Sequence, residues 1–235
     1  MKSYILSKST YIRGLQCLKS LYFNKHRPYL RDKLSEEQLA KFKRGHDIGK
    51  IAQKLFPGGI ELPMPGETSA KKTLEYIKNG EKILYEACFI ADNVIIAVDI
   101  LVKTETGWQA YEVKSSFKLS ETYYNDAFLQ NYVIEKSGLK LAAFHLVYRN
   151  NEVDIPDEKN IAGAFIFEEL NAAESQLSDK IHENIVAMTE TLALTSSPKI
   201  GPGNHCMKPY PCDFRGVCWK FLSEEIRNEL LNSLA

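Results

Sequence analysis

The chain of 235 residues has no apolar run that approaches the roughly 20 residues needed to span a bilayer. Its first ten residues, MKSYILSKST, lack the apolar stretch of a secretory signal, and the chain shows no internal repeat or low-complexity segment. Only five cysteines are present, and in a reducing compartment they are more often thiols or metal ligands than disulfides. Because 44% of the residues are hydrophobic, the chain can bury one sizeable core, with or without a small appendage. We therefore expect a cytoplasmic protein without a membrane segment.

The chain also lacks net charge, since 30 Lys and Arg residues balance 30 Asp and Glu residues. The distribution is uneven: residues 1–50 hold 12 Lys and Arg against 4 Asp and Glu, and the remainder holds 18 against 26. A basic N-terminal segment can bind phosphate groups. A solvated charged surface without a ligand is the alternative, and charge alone favours that alternative.

The spacing of apolar and turn-forming residues predicts a mixture of helices and strands. Ser35 and Gln38 form a capping box, and Asp92-Asn93 is a residue pair typical of a hairpin turn. We predict helices at residues 8–23, 35–56, 68–79, 120–137, 170–194 and 224–234, and strands at residues 82–91, 94–103, 108–115 and 140–149. This order predicts a single α/β domain over residues 1–235, with a mixed central β-sheet at 82–149, flanking helices and a basic helical segment at 1–56.

An acidic residue and a Glu–Val–Lys triplet stand on two consecutive predicted strands. Asp99 lies inside the apolar run AVDILV, and Glu112 and Lys114 share one face of the next strand. Two neighbouring buried carboxylates are unfavourable without a cation, and Mg²⁺ prefers oxygen ligands such as carboxylates and the backbone carbonyl of Val113. A lysine beside them can stabilise charge on a phosphate. The pattern predicts metal-dependent phosphodiester hydrolysis; the alternative is an exposed Glu–Lys face on an edge strand, with a buried Asp99 capping a loop.

The tail at residues 200–221 places three cysteines among prolines and glycines. They are Cys206, Cys212 and Cys218, in the spacing C-x5-C-x5-C. Three thiolates make an incomplete four-ligand site, which Cys17 would complete by joining the two ends of the chain. Four thiolates suit a [4Fe–4S] cluster and zinc equally, and His205 is an alternative fourth zinc ligand if Cys17 is left out. The fifth cysteine, Cys88, lies on an apolar strand and is interpreted as a small buried hydrophobic residue.

An Asp on one strand followed by E-V-K on the next resembles the PD-(D/E)XK nuclease superfamily. More narrowly, the chain is similar to the RecB-like branch that includes the CRISPR-associated iron–sulfur exonucleases. In that branch an upstream histidine, a downstream glutamine helix and four cysteines accompany the hairpin, and counterparts of these features occur here in the same order over about residues 3–221. The first gap between the tail cysteines is longer than the C-x2-C-x5-C spacing frequent in the family. The resemblance implies a restriction-endonuclease-like nuclease core, with a structural iron–sulfur cluster on Cys17, Cys206, Cys212 and Cys218.

The resemblance also implies roles at the active site. The implied catalytic residues are Asp99, Glu112, Lys114 and Gln130, and the implied ligands of Mg²⁺ or Mn²⁺ are His46, Asp99, Glu112 and Val113. Without the resemblance, His46 would be interpreted as a core residue. Gln130 would be either a surface helix glutamine or a residue that orients Lys114 or the substrate. The family carries a tyrosine four residues after the glutamine, where this chain has Ile134. Glu86 is either an accessory acid near the metal or a solvent-facing strand residue.

These observations predict a metal-dependent DNA nuclease, of the exonuclease type, with a structural iron–sulfur cluster. DNA is the expected partner, and protein partners in DNA repair, recombination or CRISPR adaptation are not defined. The alternatives are a non-catalytic nucleic-acid-binding module of the same fold, a zinc-containing endonuclease and a restriction-type endonuclease. Intact Asp99, Glu112 and Lys114 count against the first, and the lack of a separate recognition domain counts against the last.

Overall fold

The computed structural model describes residues 4–33, 35–153, 161–170 and 175–232. The strands are β1 (Leu6–Ser7), β2 (Ile60–Glu61), β3 (Ile83–Ala91), β4 (Val94–Lys103), β5 (Trp108–Lys114), β6 (Leu141–Arg149) and β7 (Phe165–Glu169). They form one mixed sheet in the order β2-β3-β4-β5-β6-β7, and β1 pairs with β4. Strand β5 is antiparallel to β4 and parallel to β6. The predicted fold class, a mixed central sheet flanked by helices, is confirmed.

The helices are α1 (Lys8–Gln16), α2 (Leu18–His26), α3 (Glu36–Gln53), α4 (Glu67–Lys78), α5 (Glu121–Lys136), α6 (Ser175–Ala193), α7 (Arg215–Cys218) and α8 (Glu224–Asn232). The predicted capping box begins α3, where the side chains of Ser35 and Gln38 each accept a backbone hydrogen bond from the other residue. The single helix predicted at residues 8–23 is wrong. Cys17 has an extended backbone and separates α1 from α2, so the apolar spacing continues across a break that it does not reveal.

The predicted hairpin between β3 and β4 is confirmed. Asp92 and Asn93 both have positive φ angles, 47° and 60°, as a two-residue type I′ turn requires. Strands β1, β2 and β7 were not predicted from the sequence. Strands β1 and β2 have only two residues each, too few to show a periodic pattern. Strand β7 has five residues and lies at an edge of the sheet, where most of its side chains are not buried, so its apolar residues do not alternate clearly.

Helices cover both faces of the sheet. On one face, α1 and α5 pack against the strands and α6 packs on these helices, through buried residues that include Tyr11, Val133 and Ile185. On the other face, α3 packs through Ile48 and Ala52. Within the described residues, no helix is both long and apolar enough to cross a membrane.

The alternation of side chains slips by one residue where Glu86 faces Asp99. Tyr85 pairs with Ile100 and Ala87 pairs with Val98, which places Glu86 directly opposite Asp99. On each of the two strands, the residues that face the larger core have even numbers on one side of this position and odd numbers on the other. Glu86 has a φ of 55°, a left-handed conformation that costs a non-glycine residue on the order of 1 kcal/mol. Such irregularities are enriched near functional sites, and this one carries two acidic residues.

Candidate active site

The structure brings Asp99, Glu112 and Lys114 together at the point where β4 and β5 stop pairing. The last pair in the β4–β5 ladder is Ile100 with Tyr111. Asp99 on β4 and Glu112 on β5 are the next residues beyond this pair. The Val113 backbone N–H donates to Asp99 Oδ2 at 2.6 Å, and Lys114 Nζ donates to Glu112 Oε1 at 2.8 Å. The predicted acid–acid–lysine set is therefore one contiguous group of side chains.

Two further residues complete this group and were missed by the sequence analysis. Lys8, the first residue of α1, donates from Nζ to Glu112 Oε1 at 2.9 Å. Asp126, on α5, accepts from Lys114 Nζ at 2.5 Å. The basic N-terminal segment was a weak signal for Lys8. Asp126 lies four residues before Gln130, one helical turn away on the same face, and that spacing could have identified it.

The electrostatics of the site differ between its two central acids. Burial, followed by the neighbouring Glu112 charge, raises the pKa of Asp99 to about 8. For Glu112, burial acts in the same direction, but Lys114 and Lys8 outweigh it and hold the pKa of this carboxyl well below its usual range. Conversely, the carboxylates of Glu112 and Asp126 raise the pKa of Lys114 despite its burial. Glu112 and Lys114 are thus charged at neutral pH. Asp99 is protonated at neutral pH unless a further cation binds beside it and favours its ionised form.

Four buried polar atoms, one on Glu112 and three on α5, have no hydrogen-bond partner within the described residues. They are Glu112 Oε2, Asp126 Oδ1, and both amide atoms of Gln130. The Gln130 side chain is 0% exposed and Glu112 is 3% exposed. Unpartnered buried polar groups are unfavourable, and where they cluster they indicate a bound ion or ordered water. This observation overturns the alternative in which Gln130 lies on the surface.

Glu86 belongs to the same electrostatic group. Its pKa is raised, first by burial and in smaller part by Glu112, while Lys8 acts against the shift. With Glu86 included, four carboxyl groups face the two ammonium groups of Lys8 and Lys114. Fully ionised, this set carries an excess of two negative charges, which matches one divalent cation.

His46 is not brought to these acids by any hydrogen bond or ion pair among the described residues. It lies exposed on α3, two residues before the buried Ile48. This helix packs against the sheet face opposite to that covered by α1 and α5. Its interpretation as a core residue is wrong. Its role as a metal ligand stays a prediction.

The tyrosine expected from the family pattern is not supplied by Tyr132. Its hydroxyl donates to Asp92 in the hairpin turn that precedes β4, whereas Asp99 lies in the middle of that strand. Ile134 is fully buried in the core. A different tyrosine, Tyr123 on α5, lies at the site, with Lys114 Nζ 5.1 Å from its ring centroid. Sequence spacing alone did not indicate this residue.

The four cysteines predicted to share a cluster line one small cavity. They are Cys17, Cys206, Cys212 and Cys218, and His205 lines the same cavity. Burial raises the pKa of the Cys212 and Cys218 thiols. The neighbouring thiols of Cys17, Cys206 and Cys212 raise the pKa of Cys218 further. As the side chains stand, however, no group of three or more His, Cys, Asp or Glu residues in the described part of the chain is arranged to hold a metal ion. Cys88 is fully buried elsewhere, on β3, as predicted.

Direct protein contacts also join the two ends of the chain around this cavity. The Gln16 amide donates to the backbone carbonyls of His205, Lys208 and Tyr210 at 2.9, 3.2 and 2.7 Å. The Arg13 guanidinium bonds both carboxylate oxygens of Asp213 at 2.5 and 3.0 Å. The tail is therefore packed on α1 through direct side-chain contacts.

No family model matches the chain, and no curated protein matches it. Among solved structures, the chain is similar to the crystal structure of LHK-Exo in complex with dAMP, with a TM-score of 0.44 and 13% identity over 80% of this chain and 87% of that chain. It is also similar to the crystal structure of SSO0001, with a TM-score of 0.42 and 13% identity over 95% of this chain and 89% of that chain. At these values the likeness carries no argument, and function is inferred from the side chains of the site.

Proposed function

We propose that this protein is a metal-dependent nuclease that hydrolyses phosphodiester bonds in DNA and acts as an exonuclease. The observation that carries the proposal is the convergence of Asp99, Glu112 and Lys114 around polar atoms that lack partners. A purely structural ion-pair network would satisfy the second oxygen of Glu112, because a buried carboxylate oxygen without a partner is unfavourable.

The chemistry of these residues suits one divalent cation, Mg²⁺ or Mn²⁺, although among the described residues no three His, Asp or Glu side chains form a ready ligand set. Asp99, Glu112 and the carbonyl of Val113 would hold it, with His46 and Glu86 as further candidate ligands. Mg²⁺ usually keeps several waters and takes only one or two carboxylates, so this small donor set is sufficient. When bound, such a cation polarises a phosphate oxygen and lowers the pKa of a water molecule that it binds.

The remaining side chains would position the substrate and stabilise charge. Lys114 is held as an ammonium group by Glu112 and Asp126, so it is suited to stabilising negative charge on a phosphate and not to accepting a proton. Asp126 orients that ammonium group. Gln130, fully buried with a free amide, would bond to an ordered water or to a group of the substrate.

We also propose that Cys17, Cys206, Cys212 and Cys218 bind a structural [4Fe–4S] cluster, with zinc as the alternative. The support is the shared cavity that all four thiols line, although almost the whole chain separates Cys17 from the others. Four sulfur donors suit either metal centre, and the side chains would have to rotate to form a ligand set. Cys17 and His205 both line the cavity, so either can be the fourth ligand.

The test is a cleavage assay on end-labelled DNA, with protein purified without oxygen and supplied with Mg²⁺, Mn²⁺ or EDTA. Wild-type protein should shorten the DNA from its ends only when the cation is present. Asp99→Ala, Glu112→Ala and Lys114→Ala should each abolish cleavage while the protein remains folded. Asp47→Ala, at an exposed acidic residue of α3, is the matched control and should leave cleavage unchanged. A wild-type protein that binds DNA without cleaving it would instead favour the binding-module alternative.

A further inference from the structure

Two ammonium groups share one oxygen of Glu112 at the proposed site. Lys8 Nζ lies 2.9 Å from Glu112 Oε1, and Lys114 Nζ lies 2.8 Å from the same oxygen. The Glu112 carboxylate is buried, so water screens little of the repulsion between these charges and a further cation that binds there. Binding of a divalent cation at Glu112 therefore becomes more favourable if one of the two ammonium groups moves away.

The two ammonium groups are not held equally. Lys114 also donates to Asp126 at 2.5 Å, and its Nζ atom lies 5.1 Å from the ring centroid of Tyr123. The Lys114 side chain is 12% exposed. Within the described residues, the ammonium group of Lys8 bonds to Glu112 alone, and the Lys8 side chain is 27% exposed. Lys8 is therefore the ammonium group that can leave Glu112 at the lower cost.

The backbone that carries Lys8 is fixed, so only its side chain needs to move. Strand β1 precedes Lys8 and pairs with β4, and the Leu6 N–H donates to the Asn93 carbonyl at 2.8 Å. Ser7 then caps α1, where its hydroxyl accepts from the Thr10 N–H at 3.3 Å. Lysine carries its ammonium group on a flexible four-carbon stem with three N–H donors. The ammonium group can thus be transferred to another nearby acceptor without a change in the fold.

Lys8 stays charged in these surroundings, so it must exchange one anion for another. Burial lowers the pKa of Lys8, but the carboxylates of Glu112, Asp126 and Asp99 outweigh burial and raise it. An ammonium group that leaves Glu112 therefore needs a second acceptor with negative charge. A phosphate of the substrate supplies one, because a phosphate oxygen is a strong acceptor for an ammonium group.

We propose that Lys8 competes with the divalent cation for Glu112 and bonds to a phosphate of the substrate once the cation has displaced it. This inference rests on the proposed nuclease function and deepens it, because it couples the binding of the cation to the binding of the phosphate. Without a substrate, the displacement of Lys8 costs free energy and weakens cation binding. With a phosphate in place, the ammonium group regains an anionic partner. Cation and phosphate should therefore raise each other's affinity through Lys8 by the same factor.

The test is isothermal titration calorimetry with Mn²⁺, first alone and then with saturating thymidine 5′-monophosphate. This nucleotide has a phosphate group but no phosphodiester bond to cleave. Without the nucleotide, Lys8→Met should bind Mn²⁺ about tenfold more tightly than wild type, which corresponds to about 1.4 kcal/mol of relieved repulsion between like charges. With the nucleotide, the affinities of the two proteins should differ by about threefold or less, because the wild-type ammonium group then bonds to the phosphate.

Further variants separate the charge of Lys8 from its packing. Lys8→Gln removes the same charge and should match Lys8→Met, whereas Lys8→Arg keeps the charge and should resemble wild type. Lys25→Met, at an exposed lysine of α2, is the matched control and should leave Mn²⁺ affinity unchanged. Equal or weaker Mn²⁺ binding by both neutral Lys8 variants, or a difference that stays as large with the nucleotide, would overturn the exchange. Wild-type protein that shows the exchange but cleaves no DNA with Mn²⁺ would overturn the proposed function instead.

Discussion

The ammonium group of Lys8 lies 2.9 Å from Glu112 Oε1, although 104 positions separate the two residues in the sequence. Lys8 is the first residue of α1, and Cys17 directly follows the last residue of the same helix. One nine-residue helix therefore reaches from the proposed active site to the cysteine cavity. Contacts at either end position the other end, because a helix of this length moves as a rigid body.

We predict that Lys8→Met destabilises the metal-free protein by about 1–2 kcal/mol, the range for a charged hydrogen bond that is partly exposed to solvent. Glu112 would keep only Lys114 as a neutralising partner. Adding Mn²⁺ should restore most of the lost stability, since the cation supplies the missing positive charge. Thermal unfolding in EDTA and in Mn²⁺ measures both effects.

The control for this prediction is Lys25→Met, at an exposed lysine of α2. It should change the unfolding temperature little in either condition. Lys8→Arg should recover part of the stability that Lys8→Met loses. Equal destabilisation of Lys8→Met with and without Mn²⁺ would contradict an electrostatic role for Lys8 at the metal site.

A second prediction concerns the opposite behaviour of the two central acids. Because the folded-state pKa of Asp99 is raised to about 8, its ionisation removes stability as the pH rises from about 4 towards 8. Asp99→Asn should therefore be more stable than wild type in EDTA at pH 8, and the difference should shrink towards pH 4. Asparagine can still accept the hydrogen bond from the Val113 N–H.

Glu112→Gln is the matched comparison and should have the opposite sign. The pKa of Glu112 is lowered by Lys114 and Lys8, so its charge contributes stability above the ordinary glutamate pKa. The variant should be less stable than wild type in EDTA at pH 8. Denaturant titrations of both variants measure the two differences, and shifts of the same sign would show that the charges of the site are distributed differently.

The parts of this molecule that follow from the sequence are those set by neighbouring residues. The residue types of Asp92 and Asn93 favour a two-residue hairpin turn. The apolar strands on either side of this turn are recognisable in the sequence. The position of Asp99 near Glu112, one residue beyond the last pair of the ladder, then follows from the hairpins, since the register of antiparallel strands is set by their turns. This local chain of inference is why the centre of the candidate site could be located before the structure was known.

The parts that did not follow depend on contacts between distant segments. Lys8 reaches Glu112 only because α1 packs across the sheet, and no periodicity records that arrangement. The break at Cys17 is also invisible in the apolar spacing, because α2 resumes with the same spacing after one extended residue. The slip at Glu86 is a backbone feature that side-chain alternation cannot predict when both neighbours are apolar.

A third prediction tests whether Gln130 serves function rather than stability. Its amide is fully buried and both polar atoms lack partners within the described residues, so the side chain contributes no hydrogen bond to the folded state. Gln130→Leu, of similar size, should leave the stability of metal-free protein unchanged or raise it. The same variant should reduce Mn²⁺-dependent DNA cleavage by tenfold or more, a general magnitude for a group that positions a water or substrate.

Thr73→Val provides the control for a buried polar group that is fully bonded. The Thr73 hydroxyl donates to the Ser69 carbonyl and accepts from the Cys88 N–H, so its loss should lower stability by about 1–3 kcal/mol. Cleavage by the folded Thr73→Val protein should remain normal. If Gln130→Leu is destabilised as strongly as Thr73→Val, then Gln130 is a structural residue and its proposed role is wrong.

The fourth prediction concerns the cysteine cavity. Protein purified without oxygen should be brown and contain about four irons per chain if a [4Fe–4S] cluster is present. Cys17→Ser should lose iron as fully as serine at Cys206, Cys212 or Cys218, because all four thiols line the same cavity. Cys88→Ser should keep its iron, since Cys88 is buried on β3 away from that cavity.

The structure also predicts how far the loss of the cluster spreads. Because Gln16 and Arg13 bond the tail directly, the two ends should stay associated but open more often. Hydrogen exchange should therefore quicken around residues 206–219 and the start of α2, while β3 and β4 keep their protection. A colourless protein with one zinc would replace the iron–sulfur proposal and keep the shared site. Full metal content in Cys17→Ser would exclude Cys17 as a ligand, and loss of metal in His205→Ala would then identify His205 as the fourth ligand.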